Sequence, residues 1–449
     1  NSTLSVQPAA AGYNLIYRGL PPFIYVTIAD GQSGTYGTAS GLTFWYSTSA
    51  TSTGASFVPG FITGYGSAQT FTAGQSEITI STGDITGKIS ISTTLSSTLN
   101  AGTYDLTLTP NLTSVNASGV TFLPGTAKSF VVNRATATVA ATKTYDGANS
   151  LTKEQISITG VGGAVIDFTL GTAAANDANV ATANNFVILG NLALTGGTGA
   201  TAASNYVLPA SSASANNSVT INAATASVAA AKTYDGNTTL TKPQISITGI
   251  GGAVIDFTLG TAAANDANVA TANKFVNLGT LALTGGTGTT AASNYALPAS
   301  SASANNGVTI NARPITLAAD NRTKVYGDAL TLGTTDFTRT AGTFASGESA
   351  TAVTLTSASS MAASTSQAVG TYSGNITASS ATGTGGFLVS NYDITYAAGA
   401  LEITARPITL TADSRTKVYG DALTLGTTAF TRTAGTFASG ESATAVTLT

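Results

Sequence analysis

Along most of the chain, apolar and polar residues alternate one by one. Ile78 and Ile80 flank Thr79, and the same step recurs at Ile89/Ile91, Leu106/Leu108, Ile156/Ile158 and Val219/Ile221. Tyr392, Ile394 and Tyr396 also fall on one face. Alternation of this kind, in short runs broken by Gly, Asn, Asp and Pro, predicts β-strands with one buried face. In the run Ala164-Val165-Ile166-Asp167-Phe168 it sends Ile166 and Phe168 inward and Asp167 outward. Asp146-Gly147 and Asp235-Gly236 tolerate positive φ and predict hairpin-type turns. The alanine-rich stretch 173–184 has no apolar stripe and several turn-forming Asn and Asp residues, so it predicts a loop.

The pattern restarts at fixed intervals. Residues 135–223 align without gaps on residues 224–312, 89 positions later, and 313–356 align on 406–449, 93 positions later. A recurrence of this size signals an array of similar units. Each unit offers about seven short strands in roughly 90 residues, the size and spacing of an immunoglobulin-like sandwich. The expected fold is therefore all-β: tandem immunoglobulin-like antiparallel β-sandwiches strung like beads. A continuous parallel β-helix would repeat at ~20–30 residues per coil, and no such period is present.

The expected organisation is a lead-in at 1–22, a diverged first sandwich at 23–134, two near-identical sandwiches at 135–223 and 224–312, another at 313–405, and a partial unit at 406–449. Short junctions near Arg134, Ala223, Ala312 and Ala405 predict a stiff string. The start at Asn1 and the half-unit at the end are expected edges of a window in a longer or processed chain.

At the head of each repeat stands a lysine–tyrosine turn. It reads Lys143-Thr144-Tyr145-Asp146-Gly147 and Lys232-Thr233-Tyr234-Asp235-Gly236, then Lys324-Val325-Tyr326-Gly327-Asp328 and Lys417-Val418-Tyr419-Gly420-Asp421. The first pair, with Ser204-Asn205-Tyr206 and Ser293-Asn294-Tyr295 near the unit ends, resembles the YDG repeat. The second pair, with Arg-Pro-Ile-Thr-Leu openings and Ser390-Asn391-Tyr392, resembles the MBG repeat. The first sandwich is a weaker match: Tyr36-Gly37 is present, but Gly34 stands where the lysine would be. The resemblance implies a large bacterial exoprotein, such as a filamentous-haemagglutinin-like adhesin of two-partner secretion. It implies an extracellular or cell-surface location and no catalytic residues.

Composition narrows the chemistry. Only 8% of residues are charged and the net charge is -3, which provides no basic field for nucleic acid and no polybasic patch for anionic lipid. No apolar run reaches the ~20 residues of a membrane span. With neither Cys nor His, disulfides, thiol nucleophiles, the commonest general base and the commonest metal ligand are all missing. The expectation is a non-enzyme without cofactor or metal.

Three constellations remain. Phe44, Trp45 and Tyr46 are adjacent, so at least one must face outward, where it is a candidate partner or glycan contact. Asn176, Asp177 and Asn179, with their copies Asn265, Asp266 and Asn268, supply oxygens suited to calcium, but the loop pattern fits a turn held by side-chain hydrogen bonds better. Lys143, Asp167 and Asn205, repeated as Lys232, Asp256 and Asn294, have the residue types of an intramolecular Lys–Asn crosslink. The outward alternation of Asp167 argues against the crosslink, and an exposed lysine near a strand end is the ordinary alternative. Sequons at Asn111, Asn116, Asn216, Asn237, Asn321 and Asn375 match the chance level in a chain rich in Asn, Ser and Thr.

Three functions are thus expected in order: a stalk or fibre body of a surface adhesin, a self-assembling filament subunit, and a glycan-binding module centred on the first sandwich. Partners would be the rest of a longer chain or other copies, or surface glycans.

Overall fold

A computed structural model describes residues 23–38, 40–47, 49–51, 68–82, 84–115 and 120–449. The expected lead-in at 1–22 and the Asn116 sequon lie outside the described residues. Every regular element among them is a β-strand or a 3-10 turn of three residues. The chain divides into two compact units, residues 1–224 and 225–449.

In the first unit, strand Phe23–Ile28 pairs antiparallel with Leu42–Ser47 and parallel with Thr121–Pro124. Ser33–Thr35 pairs parallel with Lys128–Asn133, which pairs antiparallel with Gly102–Leu106. Alternate residues Ile24, Val26, Phe44, Leu106, Phe122 and Phe130 fill the space between these sheets. The following domain is built the same way on shorter strands. Thr138–Thr144 pairs antiparallel with Ile156–Thr159 and parallel with Asn217–Asn222. Val139, Ala141, Ile158 and Ile166 close its interior.

In the second unit, Ser227–Thr233 repeats that arrangement against Ile245–Thr248 and Asn306–Asn311. The next domain has two sheets. In one, Arg313–Ala319 lies between Phe337–Gly342 and Tyr392–Ala397. In the other, Arg322–Val325 pairs parallel with Gly399–Thr404, which lies beside the long strand Gly370–Thr384. Residues 406–449 hold one hairpin, Thr409–Ala412 with Phe430–Ala434. A single residue separates Asn306–Asn311 from Arg313–Ala319, so the junction there is as short as the sequence implied.

The all-β expectation holds, with one departure from a purely antiparallel sandwich. In each complete domain the opening strands pair parallel with the closing strands. The chain therefore enters a domain at one pole and leaves at the opposite pole, because parallel neighbours point the same way. Hydrophobic alternation cannot reveal this, since it is blind to strand direction.

Buried asparagines hold the loops that strands this short cannot. Asn217, 1% exposed, donates from Nδ2 to the carbonyls of Val187 and Ala210 and accepts the Val187 N–H at 2.8 Å. Asn306 does the same for Val276 and Ala299. Neither stood out in the sequence, where asparagine reads as a turn former.

Candidate functional site: the lysine–tyrosine turn and the domain joints

The turn is placed by the closing strand. The backbone N–H of its tyrosine donates to the last strand of the same domain in all four complete domains: Tyr36 to Asn133, Tyr145 to Asn222, Tyr234 to Asn311 and Tyr326 to Thr404. The tyrosine is thereby fixed at the pole from which the chain leaves.

The lysine before it is buried, contrary to the exposed position expected. The Lys143 side chain has no solvent exposure, and its ammonium donates to the carbonyls of Ala148 and Ser150 at 2.9 Å and pairs with Asp146 at 2.8 Å. These use all three of its donors. Lys232 is held likewise by Asn237, Thr239 and Asp235. The Asp146-Gly147 pair thus wraps an ammonium and does not close a two-residue hairpin; the next strand begins only at Ile156. The Lys143 ammonium beside Asp146, with the Ala148 N–H, holds that carboxyl below its usual value against a cost of burial. Lys324 is satisfied from elsewhere, by the carbonyls of Met361, Ala362 and Ser364. Burial pushes its ammonium below the ordinary value, with Asp328 opposing.

The structure does not bring the supposed crosslink trio together. Asp167 is exposed and its carboxylate pairs with Lys153 at 2.7 Å; Asp256 pairs with Lys242 in the same way. Lys143 and Lys232 are enclosed by their own turns. Asn205 and Asn294 are fully buried, and Asn205 reaches into the preceding domain. Of the aromatic trio, Phe44 and Tyr46 are core residues, since their alternation with Trp45 faces them inward. Only Trp45 is partly exposed, and its Nε1 is buried with no acceptor among the described residues. In the Asn/Asp loops the acid oxygens are turned to the backbone: Asp177 accepts the Asn179 N–H and Asp266 the Asn268 N–H, each at 2.6 Å. These bonds hold both carboxyls below their usual value.

Within each unit, the tyrosine turn of one domain meets the next domain through a recurring set of contacts. In the first unit, Tyr36 stands edge-on to Tyr206, with ring centres 5.4 Å apart. Asn205 donates to Asn100 Oδ1 and accepts the Ala101 N–H, both at 2.8 Å. Gly37 lies against Val161; a Cβ there would come within 2.3 Å of the valine methyl. The Tyr206 hydroxyl accepts the Val161 N–H, so one tyrosine both meets its partner and pins the loop that touches the glycine.

In the second unit, Tyr234 stands edge-on to Tyr392 at 5.6 Å. The Glu348 carboxylate accepts from both hydroxyls, that of Tyr392 at 2.6 Å. Arg313 donates to the Tyr234 carbonyl at 3.2 Å. Asn391 accepts the Val269 N–H at 2.9 Å and donates to Asn268 at 2.8 Å, so the Asn/Asp loop serves as a docking edge. The Tyr392 hydroxyl also accepts the Ala345 N–H, and Ala345 is the residue that faces Gly236. Further along, Tyr326 donates to Glu441 at 2.5 Å, Arg406 donates to the Tyr326 carbonyl at 2.7 Å and pairs with Asp328, and Gly327 faces Ala438. The turn at Tyr419 differs: Tyr419 is fully exposed, and nothing lies near Gly420 among the described residues.

Burial, then the Glu348 acceptor, pushes the Tyr392 phenol up to about 12 and Tyr234 well above its usual range. A phenol raised on folding contributes stability that is complete below the unfolded value of 10.0 and lost as pH climbs through the folded one. Alkaline titration read by phenolate absorbance should therefore show a set of tyrosines ionising late. Ionisation of every tyrosine together near pH 10 would contradict the bridge.

Sequence reasoning missed Glu348, Arg313 and Asn391. The signal was present in the second copy, since Ala345-Ser346-Gly347-Glu348 returns as Ala438-Ser439-Gly440-Glu441.

Comparison with known families agrees with this layout. Residues 126–215 and 217–304 each match the YDG domain, and residues 315–402 match the MBG domain of YGX type. The YDG matches begin upstream of the structural repeats and stop before the closing strands Asn217–Asn222 and Asn306–Asn311. Comparison with curated proteins and with solved structures gives no match. With its repeated turns, Asn-Tyr pairs and β architecture in place, the chain carries two YDG domains followed in tandem by an MBG domain of YGX type.

Proposed function

We propose that this array is a non-enzymatic stalk or fibre body of an exported bacterial surface adhesin. The observation that carries the reading is the parallel pairing of opening and closing strands in each complete domain. A module entered at one pole and left at the other transmits extension along the chain. A module whose ends lie together would not. The joints within each unit support the same reading: those at Tyr36 and Tyr234 add hydrogen bonds and a ring contact to a short covalent link, the one at Tyr326 adds hydrogen bonds, and such contacts oppose hinging. The polar face of the strands is made largely of Thr and Ser, which solvates the surface with few charges. No helix of the described residues is long and apolar enough to cross a membrane.

Immunogold electron microscopy of the native cells, with an antibody raised against this chain, tests the proposal. Label on projections outside the cell is the expected result. Label confined to the cytoplasm would refute it. Negative-stain images of the purified chain separate the stalk from its nearest rival: discrete particles fit a stalk, whereas filaments assembled from this chain alone would favour a self-assembling subunit.

A further inference from the structure

We propose that the upstream pole of an MBG-type domain is a receiver for a lysine–tyrosine turn, whichever family supplies the turn. Two receivers carry the inference. The first, Arg313, Ala345 and Glu348, takes a Tyr-Asp-Gly turn from a YDG domain. The second, Arg406, Ala438 and Glu441, takes a Tyr-Gly-Asp turn from an MBG domain. The two turns differ in the order of Gly and Asp, yet the contacts are the same in kind. A glutamate accepts the tyrosine hydroxyl, an arginine donates to the tyrosine carbonyl, and an alanine packs on the glycine.

What is recognised is therefore small and definite: a phenol, one free backbone carbonyl, and a backbone surface left bare by glycine. Glycine is needed twice over in the MBG turn. Gly327 has φ +89°, and a Cβ there would lie 2.6 Å from that of Ala438. The YDG-type receiver at Tyr36 works differently, through Asn205, Tyr206 and Val161, with Ala135 where the MBG receiver has its arginine. The partner that fits the receiver is any β-domain whose exit pole presents this turn, so YDG and MBG domains are interchangeable upstream of an MBG domain.

The inference deepens the stalk reading by naming what locks its joints, and it is tested apart from cell-surface location. The reporter is the Val269 amide, which belongs to the YDG domain but is protected by Asn391 of the MBG domain. In the full-length chain, Asn391→Ala should speed its hydrogen exchange at least tenfold while strand Gly399–Thr404 stays protected, which calibrates the reporter. The decisive variant is Tyr234→Phe, which removes the hydroxyl that Glu348 accepts and that the Asn391 side chain also meets, and leaves the Val269 backbone itself unaltered. Docking through the turn predicts faster exchange at Val269 in this variant too, by several-fold. Glu348→Gln, which weakens the acceptor, should act in the same direction. Unchanged exchange at Val269 in Tyr234→Phe would overturn the proposal, because Glu348 would then serve only Tyr392 of its own domain. If Glu348→Gln also opens strand Gly399–Thr404, the Tyr234→Phe result decides, since that substitution lies outside the MBG domain.

Discussion

Replacing Lys143 with methionine should destabilise its domain by about 2–5 kcal/mol, because a fully enclosed ammonium with three hydrogen-bonded partners gives way to a group with no donors. Methionine keeps most of the stem but offers no donors. The carbonyls of Ala148 and Ser150 would then lose their partner inside the turn, and Asp146 would lose its cation. A carbonyl left without its donor costs about 1–3 kcal/mol where water cannot reach it; Ala148, Ser150 and Asp146 belong to exposed positions and recover some water, which keeps the loss below the full sum. Against a typical domain stability of about 5–15 kcal/mol, the variant would sit near its folding threshold. Chemical denaturation of the full chain, followed with a probe in residues 135–223, checks the figure. A loss under about 1 kcal/mol would place the ammonium in the class of weak surface pairs and contradict the enclosed geometry.

Asn217→Ala should cost a similar amount, about 3–5 kcal/mol, for a different reason. No charge is involved. One side chain satisfies the Val187 N–H and carbonyl, 30 residues away, and the Ala210 carbonyl, 7 residues away. Alanine leaves all three without that partner at a position only 1% exposed. Strand Val187–Ile188 is only two residues long, so it has little pairing of its own to fall back on. The expected result is lost hydrogen-exchange protection at Val187 together with a lowered denaturation midpoint. Asn306→Ala should reproduce it in the second YDG domain, since the same three bonds recur there. Preserved protection at Val187 would mean that the asparagine is incidental.

These two residues also mark where the sequence could and could not be read. Strands such as Ile156–Thr159 were legible because burial of one face imposes strict alternation. The outward position of Asp167 was legible on the same ground. Lys143 was legible in principle: it continues the face of Val139 and Ala141, and that register buries it. Chemical type outweighed position in reading it as exposed, because lysine is seldom buried without partners. Those partners, the carbonyls of the turn, are main-chain groups that no side-chain pattern announces.

The joints were harder for a further reason. Glu348 and Tyr234 are 114 residues apart, and neither carries a local sign that it faces another domain. Asn205 drew attention as a crosslink acceptor, but its amide is spent on hydrogen bonds to Asn100 and Ala101. Repetition was the available clue, because a motif copied outside the strand pattern must be retained for something other than strand formation. The Ala-Ser-Gly-Glu pair meets that description, and so does Ser-Asn-Tyr.

What everything here rests on is that each domain closes its own apolar interior before the next begins. Segment-resolved hydrogen exchange of the full-length Lys143→Met chain tests it most directly. Strands Thr138–Thr144, Ile156–Thr159 and Asn217–Asn222 should lose protection while Arg313–Ala319 and Gly399–Thr404 keep theirs. Loss of protection in all of these strands at once would show a single cooperative core and contradict the account.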